Sequence, residues 1–449
     1  MKPGPEVSLQ SPLAGAASLK LFQEEQAYLT PGLQQIATFS RLAMERGRGA
    51  LLTDVDGKEY VDFVAGVCVA SIGHGHPEFA RALGEQAANL SVGSFTTKNR
   101  VEFLRRLVGL TPEGLNKVQL YSSGAEAVEA AVRLAKSHTK KFEVVSFWGG
   151  FHGKTGGVLG LLGSDFKHQL GPLMPGTYIS PYPNVYRNPF GVHDEQQLSA
   201  LCLEFLRQKI KNETGGQIAA FIAEPIQGTA GNVMPPAGFL KGLCDLAHEH
   251  EALFIADEMI TGFGRTGKWF GSEHESVIPD ILTIGKGVAG GFPVSGLITT
   301  AEIASAKPFA NPSGSSSSYG GNPLAAAACN ATLRILESEG LVENSRRIGQ
   351  AMLLRLERLK ARFGFIGDVR GRGLMIGLEL VKDRKTKEPL GKEICRALFE
   401  AALRRGLVTM AYSPTVRINP PLNITAEQAD RGIDILEDAL KAVAEEFAL

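Results

Sequence analysis

The chain has 449 residues, of which 44% are hydrophobic, and its 47 basic residues balance 47 acidic ones. This length accommodates two domains with a sizeable hydrophobic core. Zero formal net charge without a run of basic residues argues against nucleic acid or an anionic membrane as an obligatory partner. A small-molecule partner is therefore the better expectation.

Cysteine usage and hydropathy indicate a cytoplasmic protein. The five cysteines are scattered and lack C-x-x-C spacing, which suggests neither a disulfide framework nor a zinc site. The N-terminal stretch lacks the apolar core of a signal peptide, and no later segment has the uninterrupted apolar length of a membrane span. The histidine pairs in "HGH" and "HEH" lack H-E-x-x-H spacing, and nucleotide-binding glycine motifs are missing. We therefore expect no metal.

The predicted elements begin with an N-terminal arm and a hairpin. The first residues are rich in Pro, Gly, Ser and Gln and are expected to form a mobile or partner-embracing arm. The segment "ALLTDVDGKEYVDF" then alternates apolar and polar residues around Asp56-Gly57, which is typical of a β-hairpin. We assign residues 1–76 to this arm and hairpin, as part of a small domain.

The pattern changes over residues 77–320, which we assign to a large domain. Helical stretches such as "GAEAVEAAVRLAKSHT" and "GFLKGLCDLAHEHE" alternate with short apolar strands, namely "KVQLYSS", "FEVVSF", "IAAFIAEP", "ALFIADE" and "DILTIG". This alternation predicts an α/β fold with a mostly parallel sheet and helices on both faces. Because ligands bind beyond the carboxyl ends of such strands, the residues that end them are the first candidates for chemistry.

Residues 321–449 are predicted to form a smaller α+β domain, which the N-terminal hairpin joins. A long helical region covers residues 341–359 and precedes the strands "GLMIGLELV" and "TVRINPPLNI". A closing helix is expected from about Thr425.

Two strand ends suggest contacts with a flat, phosphorylated ligand. "QLYSSGAEAVEA" passes from a strand directly into a helix, which aims free N–H groups at an anion. Ser123 followed by Glu126 also fits an ordinary capping box, so this signal alone is ambiguous. "VSFWGGFHGKT" places Phe151 beside His152 between glycines, where a ring can lie over a flat ligand, although core packing is the commoner role of phenylalanine.

The other two strand ends carry opposite charges. Asp257 ends an apolar strand, where a charge costs several kcal/mol unless a cation pairs with it. Lys286 ends "DILTIG" between two glycines that leave room for a bulky group, although a surface lysine is the bland alternative. Pyridoxal 5′-phosphate accounts for all four features, because its aldehyde forms a Schiff base with a lysine and its pyridine nitrogen needs an acidic partner. Asp257 would hold that nitrogen protonated.

The chain also resembles the class III pyridoxal-phosphate aminotransferases of fold type I, which include ornithine, acetylornithine and 4-aminobutyrate aminotransferases. The resemblance covers nearly the whole chain after the first few dozen residues. Its motifs occur in family order, namely "GHGHP", "SSGAEAVEAAVRLA", "GGFHGKT", "AEPIQGTAG", "ADEMITGFGRTG", "GKGVAGGFP", "YGGNPLAAAA" and "VRGRGLMIGLEL". The resemblance implies that Lys286 is the Schiff-base lysine and the proton shuttle, and that Asp257 is the pyridinium partner.

Further contacts are implied by the same resemblance. Ser318 would reach the phosphate of the neighbouring subunit's cofactor, which implies a homodimer and leaves a dimer of dimers open. The cofactor contacts within one subunit would come from Ser123, Gly124, Ala125, Phe151, His152, Glu224, Met259 and Ile260.

Departures from the family pattern concern the substrate. Relatives that handle terminal amines commonly carry E-P-x-Q-G-E-x-G, whose second glutamate pairs with an arginine, whereas this chain has Thr229 there. The matching arginine is Arg417, which is expected to clamp an acceptor carboxylate unless it is merely an exposed strand residue. Ile260 replaces the family's common glutamine, a change that we associate with pyruvate-using ω-transaminases. The amine pocket is expected to be lined by the apolar side chains of Val67, Cys68 and, from the partner subunit, Phe95.

The main hypothesis is an aminotransferase that moves an amino group from an amine or ω-amino acid to a 2-oxo acid such as pyruvate or 2-oxoglutarate by a ping-pong mechanism. An amino-acid racemase or epimerase on the same fold is the alternative, because some relatives return the proton to Cα. A catalytically silent binding module is a third hypothesis. The combination of Lys286, Asp257 and the phosphate turn argues against it.

Overall fold

The computed structural model describes residues 13–449, and the chain divides into two compact units. One unit is Pro77–Glu343, and the other combines the chain up to His76 with Asn344–Leu449. The predicted N-terminal arm begins in residues 1–12, which lie outside the described residues. Among residues 13–449, no helix combines the length and apolar character that a membrane span requires.

Helices and strands alternate through most of the chain. In chain order the elements are α1 (Ala16–Gln26), α2 (Gln35–Ser40), β1 (Met44–Arg48), β2 (Leu51–Asp54), β3 (Glu59–Asp62), α3 (Ala65–Cys68), α4 (Pro77–Ala87), α5 (Lys98–Leu110), β4 (Lys117–Tyr121), α6 (Gly124–Thr139), β5 (Glu143–Phe147), α7 (Gly156–Leu159), β6 (Thr177–Ser180), α8 (Glu195–Glu213), β7 (Ile218–Ala223), α9 (Phe239–Glu249), β8 (Leu253–Asp257), β9 (Ile281–Ile284), β10 (Ser295–Thr299), α10 (Ala301–Ala304), α11 (Pro323–Ser338), α12 (Leu341–Arg362), β11 (Ile366–Arg372), β12 (Met375–Leu380), α13 (Lys392–Arg404), β13 (Leu407–Val408), β14 (Thr415–Ile418) and α14 (Ala426–Phe447).

The Pro77–Glu343 unit contains a seven-stranded sheet with the order β4-β10-β9-β8-β7-β5-β6. Strand β10 runs antiparallel to both of its neighbours, and the other pairings are parallel. The five strands predicted in this region are confirmed as β4, β5, β7, β8 and β9. Strands β6 and β10 were not predicted, because "TYIS" and "SGLIT" are short and mix polar residues with apolar ones.

Helices cover both faces of this sheet, and the central strands are therefore buried along their whole length. Every residue of β7 and β8 is buried. Successive side chains of a strand point to opposite faces. Ala220 and Ile222 accordingly pack in the cluster that contains α6, whereas Phe221 and Ala223 pack in the cluster that contains α8 and α9. Burial on both faces explains why these strands read as continuous apolar runs.

The other unit contains two smaller sheets. One has the order β1-β2-β3-β13, and the other has the order β11-β12-β14 with antiparallel pairing. The predicted hairpin is confirmed, since β2 and β3 pair antiparallel and Gly57 occupies the turn with φ +86°. Glycine suits this position because it adopts positive φ without a Cβ clash. The predicted closing helix is α14, for which Thr425 is the N-cap.

The second boundary in the structure differs from the predicted one. The sequence suggested a boundary after residue 320, whereas the units divide after Glu343. Helix α11 lies between these positions and packs on α4 and α5 of the Pro77–Glu343 unit. Its alanine-rich sequence does not indicate which neighbours it will contact.

Candidate active site

Asp257, at the end of β8, is a buried carboxylate with a buried histidine as its neighbour. Nδ1 of His152 lies 2.7 Å from Oδ2 of Asp257, and both side chains are 1% exposed. Burial lowers the pKa of His152, but the hydrogen bond with Asp257 and the negative charge of Asp257 outweigh burial and raise it. The acid is therefore held in one orientation at the sheet edge.

The second oxygen of Asp257 is held by the neighbouring strand and turn. Oδ1 accepts hydrogen bonds from the hydroxyl of Thr283 at 3.2 Å and from the backbone N–H of Met259 at 3.2 Å. Asp257 and Thr283 are opposite each other in the parallel pair β8–β9. Lys286 follows Thr283 just beyond the end of β9, so the register brings the acid and the lysine to the same edge of the sheet.

The start of α6 combines a capping box with two open N–H groups. The Glu126 carboxylate accepts hydrogen bonds from the N–H groups of Ser122 and Ser123. In return, Oγ of Ser123 accepts a hydrogen bond from the N–H group of Glu126. The N–H groups of Gly124 and Ala125 have no acceptor among residues 13–449. The helix is thus capped and still has two N–H donors and a positive dipole end available for an anion.

Lys286 begins a short 3₁₀ turn, Lys286–Ala289, with φ +41°. A positive φ is strained for a residue with a side chain, and such strain clusters at functional positions. Lys286 is only half-buried, although Gly285 and Gly287 beside it are buried. Within the described part of the chain, its amine has no hydrogen-bond or ion-pair partner.

Met259 lies between the lysine turn and the start of α6. A Cβ added to Gly285 would be 2.6 Å from its sulfur, and one added to Gly124 would be 3.3 Å from it. Glycine at both positions therefore allows the thioether to pack against the two backbone turns. Met259 is 8% exposed, so it forms part of the wall at this sheet edge.

Glu224 ties together two loops near Asp257. Its Oε1 accepts from the N–H of Phe151 at 2.9 Å, and its Oε2 accepts from the N–H of Gly228 at 2.9 Å. Burial raises the pKa of Glu224 to about 7, the positive charge of His152 opposes this change, and the negative charge of Asp257 adds to it. This carboxylate positions the aromatic ring of Phe151 through the backbone.

Ile260 and Thr229 both lie beside Gly228. Ile260 is 7% exposed, and a Cβ added to Gly228 would lie 2.3 Å from its Cδ1. Thr229 is half-buried in the turn closed by the hydrogen bond from the N–H of Gly231 to the carbonyl of Gly228 at 3.0 Å. The two departures from the family pattern within this unit therefore affect one local region.

Lys154 and Phe166 were not predicted from the sequence. The Phe151 ring packs edge-on against Phe166 at a centroid distance of 5.7 Å. The exposed ammonium of Lys154 lies 4.5 Å from the Phe166 centroid and 5.8 Å from that of Phe151. Glu129 holds the following loop by accepting from the Thr155 hydroxyl and the Gly157 N–H. The sequence feature that could have indicated this contact is the position of Lys154, two residues after His152.

Arg417 belongs to the unit that contains both chain ends. It is half-buried on β14, opposite Gly377 of β12. Its guanidinium group has no carboxylate partner among residues 13–449. Arg417 acts electrostatically on Tyr412, whose pKa is raised by burial and lowered to a smaller extent by the positive charge of Arg417.

Val67 and Cys68 belong to the same unit as Arg417 and lie in a strained segment. Ala65, Gly66, Val67 and Cys68 all have positive φ values, between 49° and 65°. This conformation is unfavourable for a β-branched residue such as Val67. The Asp62 carboxylate stabilises the segment because it accepts hydrogen bonds from the N–H groups of Val64 and Ala65.

Phe95 and Ser318 are exposed in the Pro77–Glu343 unit. Phe95 is 71% exposed, and Ser318 lies in the loop before α11. The backbone carbonyls of Gly93 and Phe95 accept hydrogen bonds from Arg100, which fixes the segment that carries the ring. Within residues 13–449, neither residue forms a hydrogen bond or an ion pair with Asp257 or Lys286.

The groups at this sheet edge fit pyridoxal 5′-phosphate. Two open N–H groups at a helix start suit a phosphate, and a primary amine without a partner suits the aldehyde carbon. The buried Asp257 carboxylate suits a protonated ring nitrogen. These three features come from three different strand ends of one sheet.

Glu224 predicts a pH dependence of stability. The pKa of Glu224 rises from 4.5 to about 7 in the folded protein. Between these two pH values, the folded state therefore retains a proton that the unfolded state has lost. The resulting stability is complete below the unfolded pKa and is lost as the pH rises through about 7. We expect Glu224→Gln to remove this decline, as measured by thermal unfolding of the apoprotein between about pH 5 and pH 8.

The matched control is Glu113→Gln, which changes an exposed glutamate and should leave the wild-type pH profile intact. Identical profiles for the wild type and Glu224→Gln would contradict the assignment.

Comparison with known proteins identifies the family. The family model "Aminotransferase class-III" matches residues 34–440. The alanine/serine racemase of Pyrococcus horikoshii is 36% identical over 97% of this chain and 93% of its own length. The probable 4-aminobutyrate aminotransferase of Bacillus subtilis is 35% identical over 91% of this chain and 94% of its own length.

A solved structure extends the similarity to the fold. An amine transaminase from an uncultivated Pseudomonas species, solved in its PLP-bound form, has a TM-score of 0.87 and 31% identity and covers 92% of this chain and 98% of its own. The expected fold type I architecture and the expected cofactor are thereby confirmed. The chain belongs to the class III aminotransferase family and is a pyridoxal phosphate-dependent aminotransferase that acts on amino and 2-oxo compounds.

Proposed function

We propose that this aminotransferase takes the amino group of an amine or ω-amino acid and transfers it to a 2-oxo acid, either pyruvate or 2-oxoglutarate. The observation that carries the proposal is the Arg417 guanidinium group, which is half-buried and has no carboxylate partner among the described residues. A half-buried guanidinium group without a carboxylate partner can bind the carboxylate of a substrate.

Thr229 supports the role of Arg417 in binding the acceptor. Threonine carries no charge and cannot neutralise an arginine as a glutamate would. An arginine without this competitor binds the carboxylate of a 2-oxo acid without first breaking an ion pair. Both 2-oxo acids meet this requirement, since each has a carboxylate beside its carbonyl group.

Lys154 supports a donor that carries an anionic group. Its ammonium lies beside Phe151 and Phe166, the aromatic pair next to the loop that Glu224 holds. An ω-amino acid has its carboxylate several bonds from the reacting amine and therefore needs a cation at some distance from Lys286. The name of the B. subtilis relative, a probable 4-aminobutyrate aminotransferase, agrees with such a donor.

Lys286 and Asp257 are the proposed catalytic residues. When bound, pyridoxal phosphate withdraws electrons from the donor Cα and makes its C–H bond acidic. Lys286 would tether the cofactor until the substrate amine displaces it, and its freed Nζ, then a primary amine, would take the Cα proton. Asp257 stabilises the positive charge on the ring nitrogen, and His152 keeps the carboxylate oriented.

The remaining contacts follow the same geometry. Ser123, Gly124 and Ala125 are proposed to bind the phosphate through the helix start, and Phe151 and Met259 are proposed to lie on the two faces of the ring. Glu224 and Ile260 support that arrangement from the side of Gly228. Val67 and Cys68 are proposed to contact the aliphatic part of the amine, and the strain in their segment supports a functional constraint there.

A homodimer is proposed from the exposed apolar surface of the Pro77–Glu343 unit. Phe95 and Tyr319 are 71% and 73% exposed, and the nearby chain positions Leu90 and Val92 are 42% and 51% exposed. Side chains of this size are usually covered when they cluster on a surface. In the proposed dimer, Ser318 and Phe95 of one subunit reach the active site of its neighbour. A cytoplasmic location is proposed because all five cysteines are free thiols.

A racemase is the second candidate, because the P. horikoshii relative named as an alanine/serine racemase is similar over almost the whole chain. The two activities differ in the destination of the proton held by Lys286. A racemase returns it to Cα, whereas a transaminase does not and releases the carbon skeleton as an oxo product.

The donor half-reaction separates these two activities. We expect the holoenzyme, mixed with 4-aminobutyrate, β-alanine or an α-amino acid but no acceptor, to release about one oxo product per active site with at least one of these donors. The amount is measured by derivatisation and mass spectrometry. Subsequent addition of pyruvate or 2-oxoglutarate should give continuous turnover. If no oxo product is released and an α-amino acid loses its optical purity, the enzyme is a racemase instead.

Two variants test the carboxylate contacts and serve as controls for each other. Arg417→Ala should reduce kcat/KM for the 2-oxo acid by roughly 10²-fold, corresponding to a few kcal/mol for truncating a charged hydrogen-bonded pair. It should leave the donor half-reaction nearly unchanged. Unchanged acceptor kinetics in Arg417→Ala would refute the proposal that Arg417 binds the acceptor carboxylate.

Lys154→Gln should reduce kcat/KM for an ω-amino acid by up to about tenfold and leave kcat/KM for a monoamine donor unchanged. The effect is small because the exposed ammonium group of Lys154 is well solvated.

A further inference from the structure

A serine-rich loop lies against the end of β4 in the Pro77–Glu343 unit. This serine loop, residues 313–318, precedes α11 and contains Ser318. Strand β4 is at one edge of the seven-stranded sheet and ends at Tyr121. The turn proposed to bind the phosphate follows Tyr121 directly. The last residues of β4 therefore adjoin both the phosphate turn and the serine loop.

The hydroxyl group of Tyr121 holds the middle of the serine loop. It donates a hydrogen bond to the carbonyl oxygen of Ser315 at 3.2 Å, and it also lies within hydrogen-bond distance of Oγ of Ser315. Tyr121 and Ser315 are 4% and 8% exposed. Because water has little access to these hydroxyl groups, each depends on its protein partners, and their separation would be costly.

Arg133 holds the same part of the loop from α6. Its Nη2 donates to Oγ of Ser315 at 3.1 Å, and its Nη1 donates to the carbonyl oxygen of Gly314 at 3.3 Å. Its guanidinium group also lies 5.7 Å from the ring centroid of Phe309, which precedes the loop. The strand before the phosphate turn and the helix after it thus both bind Ser315.

A second contact with β4 fixes the chain just after the serine loop. A Cβ added to Gly320 would lie 2.1 Å from the carbonyl oxygen of Leu120, and one added to Gly321 would lie 2.7 Å from Cδ1 of Leu120. Only glycine allows the backbone to approach this closely. Ser318 therefore lies between two contacts with consecutive residues of β4.

The side chain of Ser318 is available to a ligand. Ser318 is exposed, and its hydroxyl group has no hydrogen-bond partner among residues 13–449. The contacts on either side restrict the path of the loop without using this hydroxyl group. A donor that is positioned before its ligand arrives loses less entropy on binding. A hydroxyl group donates well to an anionic oxygen such as that of a phosphate.

We propose that Tyr121 and Ser315, supported by Arg133, are positioning residues that hold Ser318 for the phosphate of the neighbouring subunit's cofactor. This inference rests on the homodimer and on the Ser318 contact of the proposed function. Tyr121 acts through the loop and not through its own contact with the phosphate. The end of a single strand then positions two phosphate contacts, one in each active site of the dimer.

The affinities of the full-length apoprotein for pyridoxal 5′-phosphate and for pyridoxal test this proposal. Pyridoxal has the same ring and aldehyde but lacks the phosphate. Tyr121→Phe removes only the hydroxyl group and should raise the Kd for pyridoxal 5′-phosphate about three- to tenfold, as the loss of one hydrogen bond implies. The Kd for pyridoxal should not change. Both are measured by absorbance titration in a buffer without phosphate or sulfate, since these anions would compete.

A double-mutant cycle shows whether Tyr121 acts through Ser318. Ser318→Ala should raise the Kd for pyridoxal 5′-phosphate by about tenfold, because it removes a hydrogen bond to a charged group. Adding Tyr121→Phe to Ser318→Ala should then have no further effect, since the contact that Tyr121 supports is already lost. Ser315→Ala removes the side-chain partner of Tyr121 from the loop and should behave like Tyr121→Phe, which keeps the test available if one of the two does not fold.

The matched control is Tyr178→Phe. It removes a hydroxyl group that donates to Glu143 at 3.1 Å from β6, which is the opposite edge strand of the same sheet. This variant should bind both ligands like the wild type. The thermal unfolding midpoint of each variant shows whether it folds.

The outcomes separate this inference from the proposed function. If Ser318→Ala binds pyridoxal 5′-phosphate like the wild type, the proposed Ser318 contact is wrong and the inference falls with it. If Ser318→Ala weakens binding but folded Tyr121→Phe and Ser315→Ala do not, only the inference is overturned. Equal losses of affinity for pyridoxal and pyridoxal 5′-phosphate in Tyr121→Phe, or additive effects of Tyr121→Phe and Ser318→Ala, would also overturn it.

Discussion

The active site depends on one constraint, which is that the Asp257 carboxylate is buried at a strand end and must be satisfied there. Burial of a carboxylate is unfavourable without hydrogen-bond donors or a cation. The protein supplies His152, Thr283 and the N–H of Met259, each from a different segment. These contacts fix both oxygens, so that the charge available to a protonated ring is held in one place.

The other features of the site follow from sheet topology. Parallel strands deliver their carboxyl ends to a common edge, and each end contributes a different group there. The start of α6 presents two N–H donors, the end of β8 presents the acid, and the end of β9 presents the amine of Lys286. Glycines at positions 124 and 285 allow Met259 to pack against both turns, which joins these groups into one wall. Glu224 fixes the loops that contain Phe151 and Gly228 at this sheet edge, because it accepts one backbone hydrogen bond from each loop.

Much of this arrangement could be predicted from the sequence, because buried parallel strands are continuous apolar runs and their terminal residues stand out. Asp257 and Lys286 are conspicuous for that reason. The hydrogen bond between Asp257 and Thr283 could not be predicted, since it depends on the β8–β9 register and Thr283 lies within an apolar strand. The position of Lys154 over Phe166 depends on the path of a loop, which sequence patterns do not define. The packing of α11 on α4 and α5 was missed because an alanine-rich helix carries little information about its neighbours.

The central claim is that Lys286 carries the cofactor with Asp257 in support. Its most direct test is borohydride reduction of the holoprotein, followed by proteolysis and mass spectrometry. The account predicts a pyridoxyl-phosphate adduct on the peptide that contains Lys286 and on no other lysine peptide. An unmodified Lys286 peptide, or an adduct on another lysine, would contradict it.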